Sequence, residues 1–227
     1  MPPHKKKQHF KLNKIEPLTE NQRKTFEEWN KNQHLLLHGV AGTGKTYISL
    51  YLALNEIAQK NNPYNKIYII RSVVPSREMG FLPGTAAEKA AIYELPYKLI
   101  CDDLLGREDG YDLLKAEGKI EFITTSHLRG LTFTDCICIV DETQNLSGSE
   151  CDTVMTRMGE NCRVVFCGDY KQTDLNRYER EGFHNFVKII KSLYQFSFVE
   201  FDSGDICRSG LVKEYIIAKE RLGIEFL

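Results

Sequence analysis

The chain has 227 residues, 42% of them hydrophobic, and its 30 Lys and Arg against 31 Asp and Glu leave a net charge of −1. That length suits one α/β domain rather than two full motor domains, and the balanced charge excludes a chain that traps nucleic acid by bulk charge, so any such binding must use a local basic surface. No apolar run reaches the roughly 18 residues of a membrane span, the start is not of signal-peptide type, and seven cysteines without a Cys-x-x-Cys pair read as buried small side chains in a reducing, cytoplasmic compartment.

Residues 1–16 carry Lys5, Lys6, Lys7, Lys11 and Lys14 and are expected to form a basic, flexible tail, the alternative being an arm that touches nucleic acid. Thr19 followed by Gln22 three residues later reads as a capping box opening a helix to about Lys31. His34–His38 is a short apolar run of buried-strand type, and Tyr47–Lys60 carries a helical apolar face on Ile48, Tyr51, Leu52, Leu54 and Ile57.

Between strand and helix stand Gly39, Val40, Ala41, Gly42, Thr43, Gly44, Lys45 and Thr46, which fit the phosphate-loop pattern G-x-x-x-x-G-K-[ST]. Glycines let the backbone turn left-handed and approach a ligand closely, and a helix start offers unpaired N–H groups to an anion. Lys45 is placed to reach the β- and γ-phosphates of ATP, and the Thr46 hydroxyl to hold Mg²⁺.

Further along, Lys66–Arg71 reads as a second strand, and residues 72–84 are broken by Pro75, Gly80, Pro83 and Gly84. Residues 85–105 recover helical spacing with an interruption at Pro96, and a short helix covers about Gly110–Glu117. Strand-like runs at Ile120–Thr124, Cys136–Val140 and Arg163–Cys167 follow, with a crossover helix at Ser149–Met158. A helix at Phe183–Leu193, a strand at Phe196–Phe201 and a closing helix at Leu211–Arg221 complete a mostly parallel α/β sheet with helices on both faces. Cys136 and Cys138, two apart on one strand, point to one face.

Asp141 and Glu142 end the fourth strand, where parallel sheets bind ligands. Asp141 is the candidate to hold the metal. Glu142 beside it suggests hydrolysis, as a base that orients and deprotonates water. Gln172, after the next strand, is an uncharged amide suited to the γ-phosphate or the attacking water, although a simple turn on Gly168 and Asp169 explains the same residues.

These stretches resemble the PhoH-like family, ATPases of phosphate-starvation-inducible type whose motor is similar to the first RecA-like domain of superfamily 1 helicases. The resemblance runs in order through Leu18–Gln22, the phosphate loop, Arg71–Val74, Gly80–Gly84, His127–Gly130, Asp141–Asn145, Gly168–Leu175, Asp205–Arg208 and Leu211–Val212, about residues 17 to 220. It implies a single RecA-like P-loop NTPase domain over residues 17–227, using ATP and Mg²⁺. By the same resemblance Gln22 reads the adenine edge, a role compatible with capping, and Arg71, Thr125, His127 and Arg129 face a nucleic-acid strand, with a structural salt bridge the alternative for Arg129. Arg208 resembles an arginine that reaches a γ-phosphate across an interface, with an ion pair to Asp205 as its alternative.

The chain departs from the family pattern in lacking a longer N-terminal domain, an RNA-binding module or a nuclease domain of PIN type, which suggests a minimal, phage-encoded form acting in the host cytoplasm. The usual Glu-Ala-Gln is Glu142-Thr143-Gln144 here. The second motor domain is missing, so Arg208 is expected to come from another copy in a homo-oligomer, a hexameric ring around RNA or single-stranded DNA. Two other readings stand beside this one. A nucleotide-gated assembly switch would use the same site without translocation, and a small-molecule kinase would not need Glu142.

Overall fold

The computed structural model describes residues 10–72, 86–170, 175 and 177–223. In chain order it has α1 (Glu20–Asn30), β1 (His34–Gly39), α2 (Lys45–Ala58), β2 (Lys66–Arg71), α3 (Ala86–Leu105), α4 (Gly110–Ala116), β3 (Ile120–Thr124) and β4 (Cys136–Asp141). Then follow α5 (Gly148–Thr156), β5 (Cys162–Gly168), α6 (Arg177–Lys191), β6 (Phe196–Phe201) and α7 (Gly210–Leu222). The six strands make one sheet in the order β3-β2-β4-β5-β1-β6, and every pairing is parallel. This is the expected RecA-like α/β architecture.

Alternation along the strands divides the core in two. Leu35, Leu37, Ile137, Ile139, Val165 and Cys167 face the side covered by α1, α2, α3 and α4, whereas Leu36, Cys136, Cys138, Val140, Val164 and Phe166 face α5 and α6. Strands apolar on both faces are what a doubly covered parallel sheet requires. Cys136 and Cys138 share a face as expected, with sulfurs 3.9 Å apart, and all seven cysteines are free thiols. No helix among the described residues is long and apolar enough to cross a membrane.

Two local expectations are corrected. The helix does not break at Pro96 but runs through it. Pro96 and Ile92 both lie on the exposed side of α3, where water can satisfy the carbonyl that proline leaves without a donor. Residues 1–9 lie outside the described residues, but 10–16 are docked rather than free. Phe10, Leu12 and Ile15 pack on the first core while Asn13 N–H donates to Leu104 O at 2.8 Å. The lysines of this stretch obscure three apolar residues that pack on the core.

A buried cation pins α1. Arg163 in β5 is 2% exposed, its guanidinium lies 3.4 Å from the centroid of the Trp29 ring, and it donates from Nε to Gln33 O at 3.0 Å and from Nη2 to Trp29 O. Burial pulls it down to about 10. Arg163→Ala would take the side-chain donor from the Gln33 carbonyl, one of two donors from the Trp29 carbonyl, which keeps Asn32 N–H at 2.9 Å, and the cation from the indole face, and is expected to cost roughly 3 kcal/mol. Urea unfolding checks it; a loss below about 1 kcal/mol, the net worth of one ordinary hydrogen bond, would reduce Arg163 to filler.

Candidate functional site

The site is assembled at the carboxyl ends of β1, β4 and β5. Gly39 ends β1 at φ 128°, so close to β6 that a Cβ there would lie 1.8 Å from Phe201 O. Only glycine fits. Gly42 and Gly44 are also left-handed, at φ 80° and 83°, and Gly44 is the N-cap of α2, so the loop turns directly into a helix start. Ala41 is exposed at its crest, while Val40 is buried and its carbonyl accepts from the Thr43 hydroxyl at 3.0 Å.

Lys45 folds over this loop, its ammonium donating to Gly39 O at 2.7 Å, Val40 O at 2.8 Å and Thr43 Oγ1 at 3.2 Å. Burial lowers its pKa, against the pull of nearby Cys167, Asp169, Asp141 and Glu142. The cation is thus held at the loop's mouth by groups that a phosphate can replace.

The Thr46 hydroxyl donates to Asp141 Oδ1 at 2.9 Å. Asp141 is 6% exposed, and burial, followed by the neighbouring Glu142 charge, raises its pKa while the Thr46 and Tyr97 hydroxyls and Arg71 oppose that rise. Two hard oxygens in contact, one of them a carboxylate short of solvation, are donors suited to a small divalent cation such as Mg²⁺.

Glu142 sits at φ 50°, uncommon for a residue with a side chain, and Gln144 Nε2 donates to its Oε2 at 2.5 Å. Gln144 Oε1 in turn accepts from Asp169 N–H at 3.0 Å, and a Cβ on Gly168 would come within 2.7 Å of that oxygen. Gln144 is a site residue that sequence reasoning missed: its segment carries the resemblance, but nothing local shows that it bridges β4 to β5. The Thr143 hydroxyl, where the family pattern has alanine, reaches Val140 O at 3.0 Å and Cys167 O at 2.9 Å, which explains why a buried polar group is tolerated there. Gln172 lies outside the described residues.

Gln22 does cap as expected in part: Thr19 Oγ1 accepts from Gln22 N–H at 3.3 Å. Its own side chain does not close the box. Oε1 accepts from Leu18 N–H at 2.7 Å, and Nε2 lies 3.0 Å from Thr43 O and 3.1 Å from Cys207 Sγ, making Gln22 a strut beneath the phosphate loop.

Arg208 lies against the loop of its own chain, its stem close enough that a Cβ on Gly42 would meet Cγ at 2.9 Å, and Cys207 N–H donates to Gly42 O at 3.0 Å. Asp205 spends its carboxylate on the Asn21 amide at 2.8 Å and Asp202 N–H at 3.0 Å, and no ion pair joins it to Arg208 among the described residues. The arginine stem thus lies beside the phosphate loop of its own chain.

The four nucleic-acid candidates separate. His127 and Arg129 are exposed beyond β3. Thr125 Oγ1 donates to Glu150 Oε1 at 2.5 Å. Arg71 turns inward, facing Asp141, Glu142 and Tyr97 with its guanidinium 5.4 Å from the centroid of the Tyr93 ring.

A family model described as PhoH-like protein matches residues 14–220. The chain is 32% identical over 204 residues to a PhoH-like protein of Bacillus subtilis (strain 168), covering 89% of this chain and 63% of that protein. It is 31% identical over 204 residues to a PhoH-like protein of Synechocystis sp. (strain ATCC 27184 / PCC 6803 / Kazusa), covering 89% and 61%. The chain thus spans less than two thirds of the length of either. The large terminase of a thermophilic bacteriophage, solved in complex with ADP, superposes with a TM-score of 0.52 at 11% identity over 88% of this chain and 49% of that one, a likeness of fold.

Gly39→Ala tests the loop geometry directly. The added methyl cannot be placed against Phe201 O, so the variant is expected either to lose at least about 3 kcal/mol of stability, as overpacking at its severe end does, or to displace β6. Wild-type unfolding together with unchanged amide exchange at residues 199–201 would contradict the close approach.

Proposed function

The chain belongs to the PhoH-like family, and from that premise we propose that it is a Mg²⁺-dependent ATPase that couples ATP hydrolysis to binding and movement along RNA or single-stranded DNA. The observation that carries this reading is the 2.9 Å contact of Thr46 with Asp141, with Glu142 held next to it by Gln144. A phosphate-loop hydroxyl, a buried acid and a second, oriented acid are the parts that water attack on a γ-phosphate needs.

In this reading the loop N–H groups of Gly42, Thr43, Gly44 and Lys45 and the Lys45 ammonium bind the phosphate chain. Thr46 and Asp141 hold Mg²⁺, which supplies neutralisation of phosphate charge. Glu142 orients the attacking water and takes its proton, and Gln144 keeps Glu142 aimed. Arg208, exposed and over Gly42, follows the γ-phosphate from its own chain. Gln172, which follows β5 in the sequence, is assigned to the same phosphate or to the attacking water. Gln22 selects adenine by exchanging its Thr43 contact for the base edge.

Assembly as a homo-oligomeric ring is part of the reading, and its support is α7. This helix follows Arg208 directly and leaves Leu211 79% and Tyr215 57% exposed, apolar surface that a second copy would cover. His127 and Arg129 would then face the enclosed strand.

One observation favours a second reading, a nucleotide-gated switch without translocation. Thr125 donates to Glu150 and Arg71 faces inward toward Tyr97, Glu142 and Asp141, which leaves fewer groups for a strand.

ATP turnover with and without single-stranded RNA and DNA at low salt separates the two. A motor is expected to be stimulated several-fold, and to lose that stimulation in Arg129→Ala. Indifference to every nucleic acid would leave the switch. In either case Glu142→Gln is expected to lower kcat by about 10² or more while still binding ATP; wild-type turnover in that variant would remove Glu142 from the chemistry.

A further inference from the structure

Asp141 is fixed from a side that the phosphate loop does not reach. Its Oδ1 accepts from Thr46, and its Oδ2 accepts from the phenolic hydroxyl of Tyr97 at 2.9 Å, across 44 residues of chain. Tyr97 comes from α3, is 1% exposed, and packs its ring on Phe122 with centroids 5.8 Å apart. It lies on the buried stripe Tyr97, Cys101 and Leu104, where the other members are apolar.

A phenol has one proton to give and lone pairs with which to accept. Here the proton goes to Asp141, and the Arg71 guanidinium stands beside the same phenol. Arg71 is the residue in β2 that pairs with Asp141 in the sheet register. Tyr93, one turn before Tyr97 on α3, lies against the Arg71 guanidinium. Arg71, Tyr97 and Asp141, drawn from β2, α3 and β4, are thus gathered at one point.

Thr46 alone would leave the carboxylate free to rotate about its Cβ–Cγ bond. A donor on each oxygen removes that freedom, and one of the two donors is not a candidate ligand. We propose that Tyr97, backed by Arg71, is a positioning residue for Asp141: it holds the carboxylate in the rotamer that sets Oδ1 beside the Thr46 hydroxyl as a ready pair of oxygens for a divalent cation. This rests on the ATPase reading, in which Thr46 and Asp141 hold Mg²⁺. Outer partners of this kind typically alter metal affinity about 10- to 100-fold, so the effect belongs to the metal and not to the nucleotide.

The test is a Mg²⁺ titration of binding of a fluorescent N-methylanthraniloyl ATP to the whole chain, with a parallel measurement in EDTA. Tyr97→Phe keeps the ring and removes only the hydroxyl. It is expected to raise the half-saturating Mg²⁺ concentration about 10-fold or more while leaving the affinity in EDTA unchanged. Tyr47→Phe is the matched control. Its hydroxyl also donates to a carboxylate, Asp103 at 2.6 Å, on the surface between α2 and α3, and its loss is expected to leave the Mg²⁺ titration where it was.

Arg71→Lys, which keeps a positive charge facing Asp141, is expected to shift the titration in the same direction by less than Tyr97→Phe. A Tyr97→Phe titration that overlays the wild type overturns the proposal, as does an equal loss of affinity with and without Mg²⁺, which would mark Tyr97 as packing only. Wild-type protein that binds the nucleotide no better with Mg²⁺ than in EDTA would instead overturn the ATPase reading itself, and that result is seen before any variant is made.

Discussion

The bond between the Thr46 hydroxyl and Asp141 joins two elements whose strands do not touch. β5 lies between β1 and β4, so the bond closes a bracket over the end of β5. Beneath it Gly168 must be bare, because Gln144 occupies the space where a side chain would go. One hydrogen bond to a charged group is worth only about 1.5–3 kcal/mol net, and it does not hold the sheet together. The dependence runs the other way. A parallel sheet buried on both faces brings three carboxyl ends to one edge, and the site is what that edge can then carry.

The same edge concentrates costs. Asp141 is a buried acid with a second acid beside it, Glu142 has left-handed backbone, and Lys45 is a partly desolvated cation tied to carbonyls. Each would be unfavourable alone. They are tolerable together because opposite charges and hydroxyls surround them. Such a cluster favours a ligand that brings phosphate charge to Lys45 and positive charge to Asp141 at the same time. A metal–nucleotide complex meets that description better than either half.

Much of this was legible in the chain. β2, β3 and β6 begin and end where the strand-like runs of the sequence begin and end. Thr19 marked the start of α1, and the phosphate loop sat between a strand and a helix as its pattern requires. What was not legible concerns partners. Helical spacing places Tyr97 in a helix but does not show that its hydroxyl meets Asp141, and a basic residue at a strand end reads as surface until the neighbouring strand is known to end in acids, as with Arg71. The sequence shows Arg208 near the chain's end but not that the turn at Asp202–Asp205 returns it to its own phosphate loop. Strand order and crossovers decide all three, and neither is written locally.

Helix α1 is fastened at both ends. In its first turn Gln22 holds the phosphate loop through Thr43, and at its last turn Arg163 grips the carbonyls of Trp29 and Gln33. The eleven residues of the helix make a rod of about 16 Å. Arg163 stands near the start of β5, at the edge of the sheet away from all chemistry, where substitutions would ordinarily drift unnoticed. The rod removes that freedom. Descendants of this sequence that lose the arginine are expected to need a compensating change along α1, so that positions 22 and 163 evolve as a linked pair although no bond joins them.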